Sequence, residues 1–110
     1  MEKIFNKLVR DNIPNIIKSN NGIPTYRVLS DIEYQKELYK KLQEECQELI
    51  NASTAEDIVE ESADVLEVVK AILHLEGKTL ADVEVVAEKK NKKKGSFNEK
   101  LFLEKTTSID

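Results

Sequence analysis

Cysteine and histidine are nearly missing from this 110-residue chain, which holds one of each, Cys46 and His74. A lone cysteine excludes a disulfide framework within the chain, and with a single histidine beside it there is no ligand set for a zinc cluster. Cys46 is expected to be a small core residue, and His74 a surface or interface residue near a helix end. Long apolar runs are missing as well. None approaches the ~20 residues that a membrane-spanning helix needs, and the opening MEKIFNKLVR carries charges through the place where a secretion signal requires an apolar stretch. A cytoplasmic protein with no membrane partner is expected. Nor is there an excess of positive charge: 17 Lys and Arg stand against 21 Asp and Glu, a net charge of -4. A general nucleic-acid binder shows a basic face, so no stable nucleic-acid partner is expected.

What the chain does contain is charge and helical periodicity. It is 35% charged and 40% hydrophobic, a balance that suits a folded protein rich in exposed helix, and its length fits a single domain over residues 1–110. Pro14, Asn20, Asn21, Gly22 and Pro24 break any long helix early, and Gly95 breaks one late. Between them, Ile32, Leu38, Leu42, Leu49 and Ile50 predict a helix over 31–50, with Asp31 as its cap. Thr54 or Ser53 caps the next, whose first turn carries Glu56 and Asp57 and whose stripe of Ile58, Val65, Val68, Ile72 and Leu75 ends at Gly77. So short a connection forces an antiparallel hairpin with the two stripes facing each other. A third helix is predicted after Thr79, with Leu80, Val83, Val86 and Ala87 inward and a basic end at 89–94. A short helix over 11–18 carries Ile13, Ile16 and Ile17 inward, with Pro14 in its first turn. Residues 4–9, 26–29 and 101–105 have the β-branched and aromatic content of short peripheral strands.

Both hairpin stripes break their own rule. Leu38, Leu42, Glu45 and Leu49 advance by four, three and four residues, so a glutamate takes an apolar position, and Ile58, Glu61, Val65, Val68 repeats the anomaly. Each intruder has an acid three positions on, Glu48 after Glu45 and Asp64 after Glu61, a spacing that puts each pair on one helix face. Gathering four carboxylates away from bulk water costs several kcal/mol in desolvation and repulsion unless they protonate or share a cation. Oxygen ligands alone select a hard ion, magnesium or manganese where substrate phosphates are to share it. The plainer alternative is a solvated acidic face paired with Lys40, Lys41 or Lys70. Glu44 and Glu60, each directly before a key glutamate, are candidate water-orienting catalytic bases or extra ligands, and Glu67 is a further acid nearby.

The motifs EECQE at 44–48 and EESAD at 60–64 resemble those of the all-α nucleotide pyrophosphohydrolases, the MazG-like superfamily. The opening KLVRDNIPNII at 7–17 looks like the signature of a small house-cleaning subgroup, similar also to phosphoribosyl-ATP pyrophosphatases. The segments DIEYQKELYKKLQEE and KKKGSF extend the resemblance over nearly the whole chain. It implies a mainly α, MazG-like bundle in which Glu45, Glu48, Glu61 and Asp64 bind Mg²⁺, with Mn²⁺ as an alternative. It also implies hydrolysis of a nucleoside triphosphate or related nucleotide to the monophosphate and pyrophosphate, by attack at the α phosphorus, in a homodimer or homotetramer. The chain departs from the family in its short loop between the acidic motifs, which leaves little protein there to shape a base pocket.

Candidates to hold the phosphates are Lys7 and Arg10, Arg10 being suited to a bidentate grip, together with Lys90 or Lys94. Asp11 is a further candidate in the substrate site, or else orients Arg10 or caps the short helix. The lysine run also reads as a solubilising helix end placed against the negative pole of the helix dipole, and Phe97 either stacks on a base or packs into the core. Two other functional classes stay open at this point: a non-catalytic helical module binding a nucleotide or protein through the acidic seam, and a nucleic-acid contact through residues 89–94.

Overall fold

The computed structural model describes residues 1–109, which fold into four helices. These are α1 (Ile13–Ser19), α2 (Asp31–Asn51), α3 (Ala55–Leu75) and α4 (Leu80–Lys94). The chain divides into two compact units, Met1–Lys78 and Thr79–Asp110, so that α1 to α3 share the first and α4 lies in the second. No helix among the described residues is long and apolar enough to cross a membrane.

Local chemistry sets most helix ends. Ser30, not Asp31, caps α2: its hydroxyl accepts from the Glu33 backbone N–H while the Glu33 carboxylate turns back to the Ser30 N–H. Asp31 therefore becomes the first helical residue, where its charge meets the positive end of the helix dipole. Arg27 locks the box from outside, its two guanidinium nitrogens 3.2 and 2.8 Å from the two Glu33 oxygens. That contact first, then the bonds from Ser30, pulls the Glu33 carboxyl down to about 2. Thr54 caps α3 as expected, accepting from the Asp57 N–H at 3.1 Å.

Beyond the end of α3, Gly77 takes a left-handed φ of 67°, the Lys78 N–H returns to the Leu73 carbonyl at 2.9 Å and the Gly77 N–H to His74 at 3.1 Å. This six-residue closure satisfies the carbonyls that the last turn leaves open. Asn21, at φ 64°, closes α1 in the same way. Gly22 follows it so tightly that an added Cβ would sit 2.6 Å from the Ile17 side chain. The cap of α1 is Asn12, without a side-chain bond, so Asp11 does not cap this helix.

Residues 52–54 alone join α2 to α3, and the two helices pack side by side as an antiparallel hairpin. Leu38, 2% exposed, and Val68, 8% exposed, lie at the bottom of the seam, with Leu42, Leu49, Val65 and Ile72 half-buried around them. The 3.5-residue spacing of the stripes accounts for this: successive positions return to the facing side of each helix. Ile32 and Ile50 are exposed at the two ends of α2, as are Ile58 and Leu75 at the ends of α3, so the stripes bury only their middles.

The expected strands are not formed. Residues 4–9, 26–29 and 101–105 carry no strand, and the described residues as a whole contain none. Extended, β-branched sequence becomes a strand only when a neighbour supplies a hydrogen-bond ladder, and the first two segments make no backbone bonds to each other. Fewer apolar positions face inward than the periodicity predicts. Ile16 of α1 is exposed while Ile13 and Ile17 are half-buried. On α4 Leu80 and Val83 are half-buried but Val86 and Ala87 are exposed, because a basic helix with so few apolar residues lacks a continuous face to cover. Phe97, expected in the core if not on a base, is 98% exposed.

Candidate functional site

The hairpin carries its acidic motifs into the same seam that buries Leu38 and Val68. Glu45 on α2 and Glu61 and Asp64 on α3 each offer a carboxylate oxygen, and these oxygens all lie within 4.8 Å of one another. Glu45 is the most enclosed, its side chain 12% exposed, as expected for a residue at an inward stripe position. Glu48, the fourth expected ligand, is exposed and stands outside this group, though close enough for its charge to act on Glu61.

Crowding has an electrostatic consequence. Partial burial, followed by repulsion from Asp64, Glu48, Glu45 and Asp57, pushes the Glu61 carboxyl above its ordinary value. Asp57, a first-turn acid by its place in the sequence, lies four residues before Glu61, the spacing that places it on the same face of α3. Asp57 is thus a fifth carboxylate at this face, and its spacing was the signal that would have found it.

Cations from two sources meet the cluster. Arg10, from the segment before α1, places Nη2 2.7 Å from Asp64 Oδ1 across 54 positions of sequence. Lys7, three residues earlier, reaches Glu44 Oε1 at 3.4 Å. Both were expected near substrate phosphates, and the fold brings both to the acidic motifs. The second source is α2 itself: Lys41, 18% exposed, lies 3.5 Å from Glu44 and 3.4 Å from Glu45. Partial burial opposes ionisation of Glu44, but Lys41 and Lys7 outweigh it and hold its carboxyl below the ordinary value. Of the three lysines expected to pair with an acidic face, Lys40 goes to Glu37 and Lys70 to Glu67, so Lys41 alone reaches the cluster.

Glu60 is exposed on α3 and Asp11 is exposed in the turn before α1, where the Arg10 carbonyl accepts from the Ile13 N–H at 3.0 Å. Lys90 and Lys94 belong to the second unit, exposed on the last turns of α4. His74 is exposed in the last turn of α3 and Cys46 is half-buried on α2.

No family profile and no solved structure matches the chain. A curated protein of Mycolicibacterium smegmatis, described as uncharacterized, is 44% identical to it over 54 residues, which cover 49% of this chain and 55% of the relative. The chain thus spans about half the length of that curated relative.

The donor set can be tested against a divalent ion on its chemistry. Oxygens on opposite sides of an octahedral magnesium at 2.0–2.1 Å are about 4.2 Å apart. Three ligands include at most one such opposed pair and the others stand about 2.9 Å apart, so oxygens that lie within 4.8 Å of one another must draw closer to share such an ion. All three donors are carboxylates, which favours a hard cation over zinc or copper. The raised Glu61 carboxyl marks a position where added positive charge lowers the energy.

Proposed function

We propose that this protein is a magnesium-dependent nucleotide pyrophosphohydrolase of MazG-like type, converting a nucleoside triphosphate or related nucleotide to its monophosphate and pyrophosphate. The observation that carries the reading is the meeting of Glu45, Glu61 and Asp64 within 4.8 Å in a half-buried helical seam, directly beside Arg10 and Lys7. Three carboxylates and two cations at one place match what phosphate chemistry needs, a divalent ion and side chains that hold anionic oxygens.

Glu45, Glu61 and Asp64 would hold Mg²⁺, or Mn²⁺, with Glu48 at the edge. A bound ion supplies charge neutralisation on the phosphate oxygens and a more acidic water for attack on phosphorus. The residues of the chain do the rest. Arg10 grips phosphate oxygens with its planar fork, and Lys7 adds a second positive charge three residues away. Glu44, held ionised by Lys41 and Lys7, anchors those lysines and is a weak proton acceptor for that reason. Glu60, without an ion pair among the described residues and exposed next to Glu61, is the better placed of the two to orient a water. Asp11, Lys90 and Lys94 are proposed as further substrate-binding residues on their sequence positions alone.

The proposed assembly is a homo-oligomer in the cytoplasm. Among the described residues only Leu38 and Val68 are buried, each worth roughly 1.5–3 kcal/mol, a small return against the entropy of ordering a chain of this length. Ile32, Tyr39, Ile50 and Val59 stay exposed on the hairpin, and a second hairpin covering them completes a bundle. Sedimentation equilibrium at micromolar concentration tests this; a monomer there would refute it.

The deciding experiment is a panel of common and damaged nucleoside triphosphates, with phosphoribosyl-ATP, assayed for pyrophosphate release with magnesium. Glu45→Gln and Asp64→Asn are each expected to abolish release with helical content unchanged by circular dichroism. Full turnover in either variant would take that residue out of the mechanism. A second reading, a non-catalytic module that binds a nucleotide or protein, is favoured by the pairing of Glu45 with Lys41 and of Asp64 with Arg10, which neutralises the seam from within. It predicts no pyrophosphate from any substrate and no stabilisation by magnesium.

A further inference from the structure

Two ion pairs connect the segment before α1 to the hairpin, Lys7 to Glu44 and Arg10 to Asp64. They differ in what they occupy. Glu44 lies outside the group of converging oxygens, whereas Asp64 is one of its members. The guanidinium of Arg10, 2.7 Å from Asp64 Oδ1, therefore stands against a carboxylate that the function proposed above gives to the ion.

We infer that Arg10 and the divalent ion compete for Asp64, so that metal loading releases the Arg10 guanidinium to become a phosphate ligand beside the ion. The inference rests on the metal-binding reading and adds an order of events to it: metal before anion. A carboxylate bonded to a hard cation has less charge left for a guanidinium, and the two cations repel each other at such range. The pair is open to exchange because its side chains are 57% and 40% exposed, and exposed pairs are held weakly. Lys7 pairs with Glu44, which lies outside the converging oxygens, so the ion does not contest that contact while Arg10 changes partner. A freed guanidinium then has its planar fork available for two phosphate oxygens, which an ammonium does not offer. Without the ion, Arg10 is occupied by Asp64 and the anion meets an acidic surface, so anion affinity is low until the metal has bound.

Isothermal titration with Mg²⁺ alone, and with inorganic pyrophosphate after Mg²⁺ saturation, tests this on the full chain. Arg10→Gln is expected to bind Mg²⁺ roughly two- to five-fold more tightly than the parent, the range set by loss of a weak competing pair, and pyrophosphate about ten-fold more weakly, for loss of charge-assisted hydrogen bonds. Lys40→Gln also removes one positive charge from the hairpin but breaks only the contact to Glu37, and it is expected to leave both affinities unchanged. A merely structural Arg10 would weaken Mg²⁺ binding along with the melting temperature. Unchanged or weaker Mg²⁺ binding in Arg10→Gln, or equal tightening in Lys40→Gln, would overturn the competition. If the parent protein binds no Mg²⁺ at all, the metal-binding reading itself falls, and the inference with it.

Discussion

Magnesium should raise the melting temperature of this protein, and Glu45→Gln should remove most of that rise. The perturbation is aimed at the most enclosed member of the cluster, whose side chain is 12% exposed and whose oxygen converges with those of Glu61 and Asp64. For a single site, free ion at about one hundred times its dissociation constant stabilises the folded state by ~2.7 kcal/mol. A domain of this length shifts by about 4 °C per kcal/mol, so the expected rise is about 10 °C. Loss of one of three carboxylates should weaken the ion by at least about 100-fold, since even partners once removed from a metal are worth ~10–100-fold. At the same magnesium concentration the stabilisation then drops to about 0.4 kcal/mol, or ~2 °C. In the ion-free protein the variant loses the contact of Glu45 with Lys41 but relieves repulsion on Glu61, so its melting temperature in EDTA should stay near that of the parent. Thermal melts followed by circular dichroism, with sodium chloride matched for ionic strength, read all four states. An equal rise in parent and variant would show that magnesium acts elsewhere, and no rise in the parent would refute the site.

The same structure sets further outcomes. Leu38→Ala empties the best-packed position of the seam and should cost about 3 kcal/mol, read as the denaturation midpoint in urea; a cost below about 1 kcal/mol would mean the seam collapses without loss. Ser30→Ala removes the hydroxyl that caps α2 and should cost about 1 kcal/mol, whereas Ser53→Ala, just before the Thr54 cap, should be silent in the same titration. The ion-free protein should have a two-sided pH profile in EDTA. The Glu33 carboxyl, pulled down to about 2 by Arg27 and Ser30, contributes stability that is complete above its ordinary value of 4.5 and lost as pH falls towards 2. Glu61 is displaced upwards, so its contribution is complete below 4.5 and lost as pH rises through the displaced value. Glu61→Gln should abolish the upper slope and leave the lower one, and an unaltered upper slope would show that other groups set it.

Some of this architecture is legible in the sequence, for definable reasons. Helix positions follow from interactions within a few residues, and Thr54, Gly77, Thr79 and Gly95 each lie where such interactions predict an end. The cap of α2 was misplaced by one residue because Ser30 and Asp31 are both good caps, and the choice fell to Arg27 and Glu33, which complete the box around Ser30. The strands were misread because β-branched content records a tendency, and a ladder needs a partner that local sequence does not name.

The pattern of charged and apolar residues by itself determined that two helices would pair and that Glu45 and Glu61 would enter their seam, since a stripe repeating at helical spacing has one face to bury and the loop of residues 52–54 leaves one way to bury it. Tertiary structure decided which charges meet there. It drew Arg10 across 54 positions to Asp64 and Lys7 to Glu44, set Lys41 between two glutamates, and left Glu48 at the margin. Contacts between residues so far apart in the chain depend on how the segment before α1 lies against the hairpin, a property of packing that no local spacing encodes.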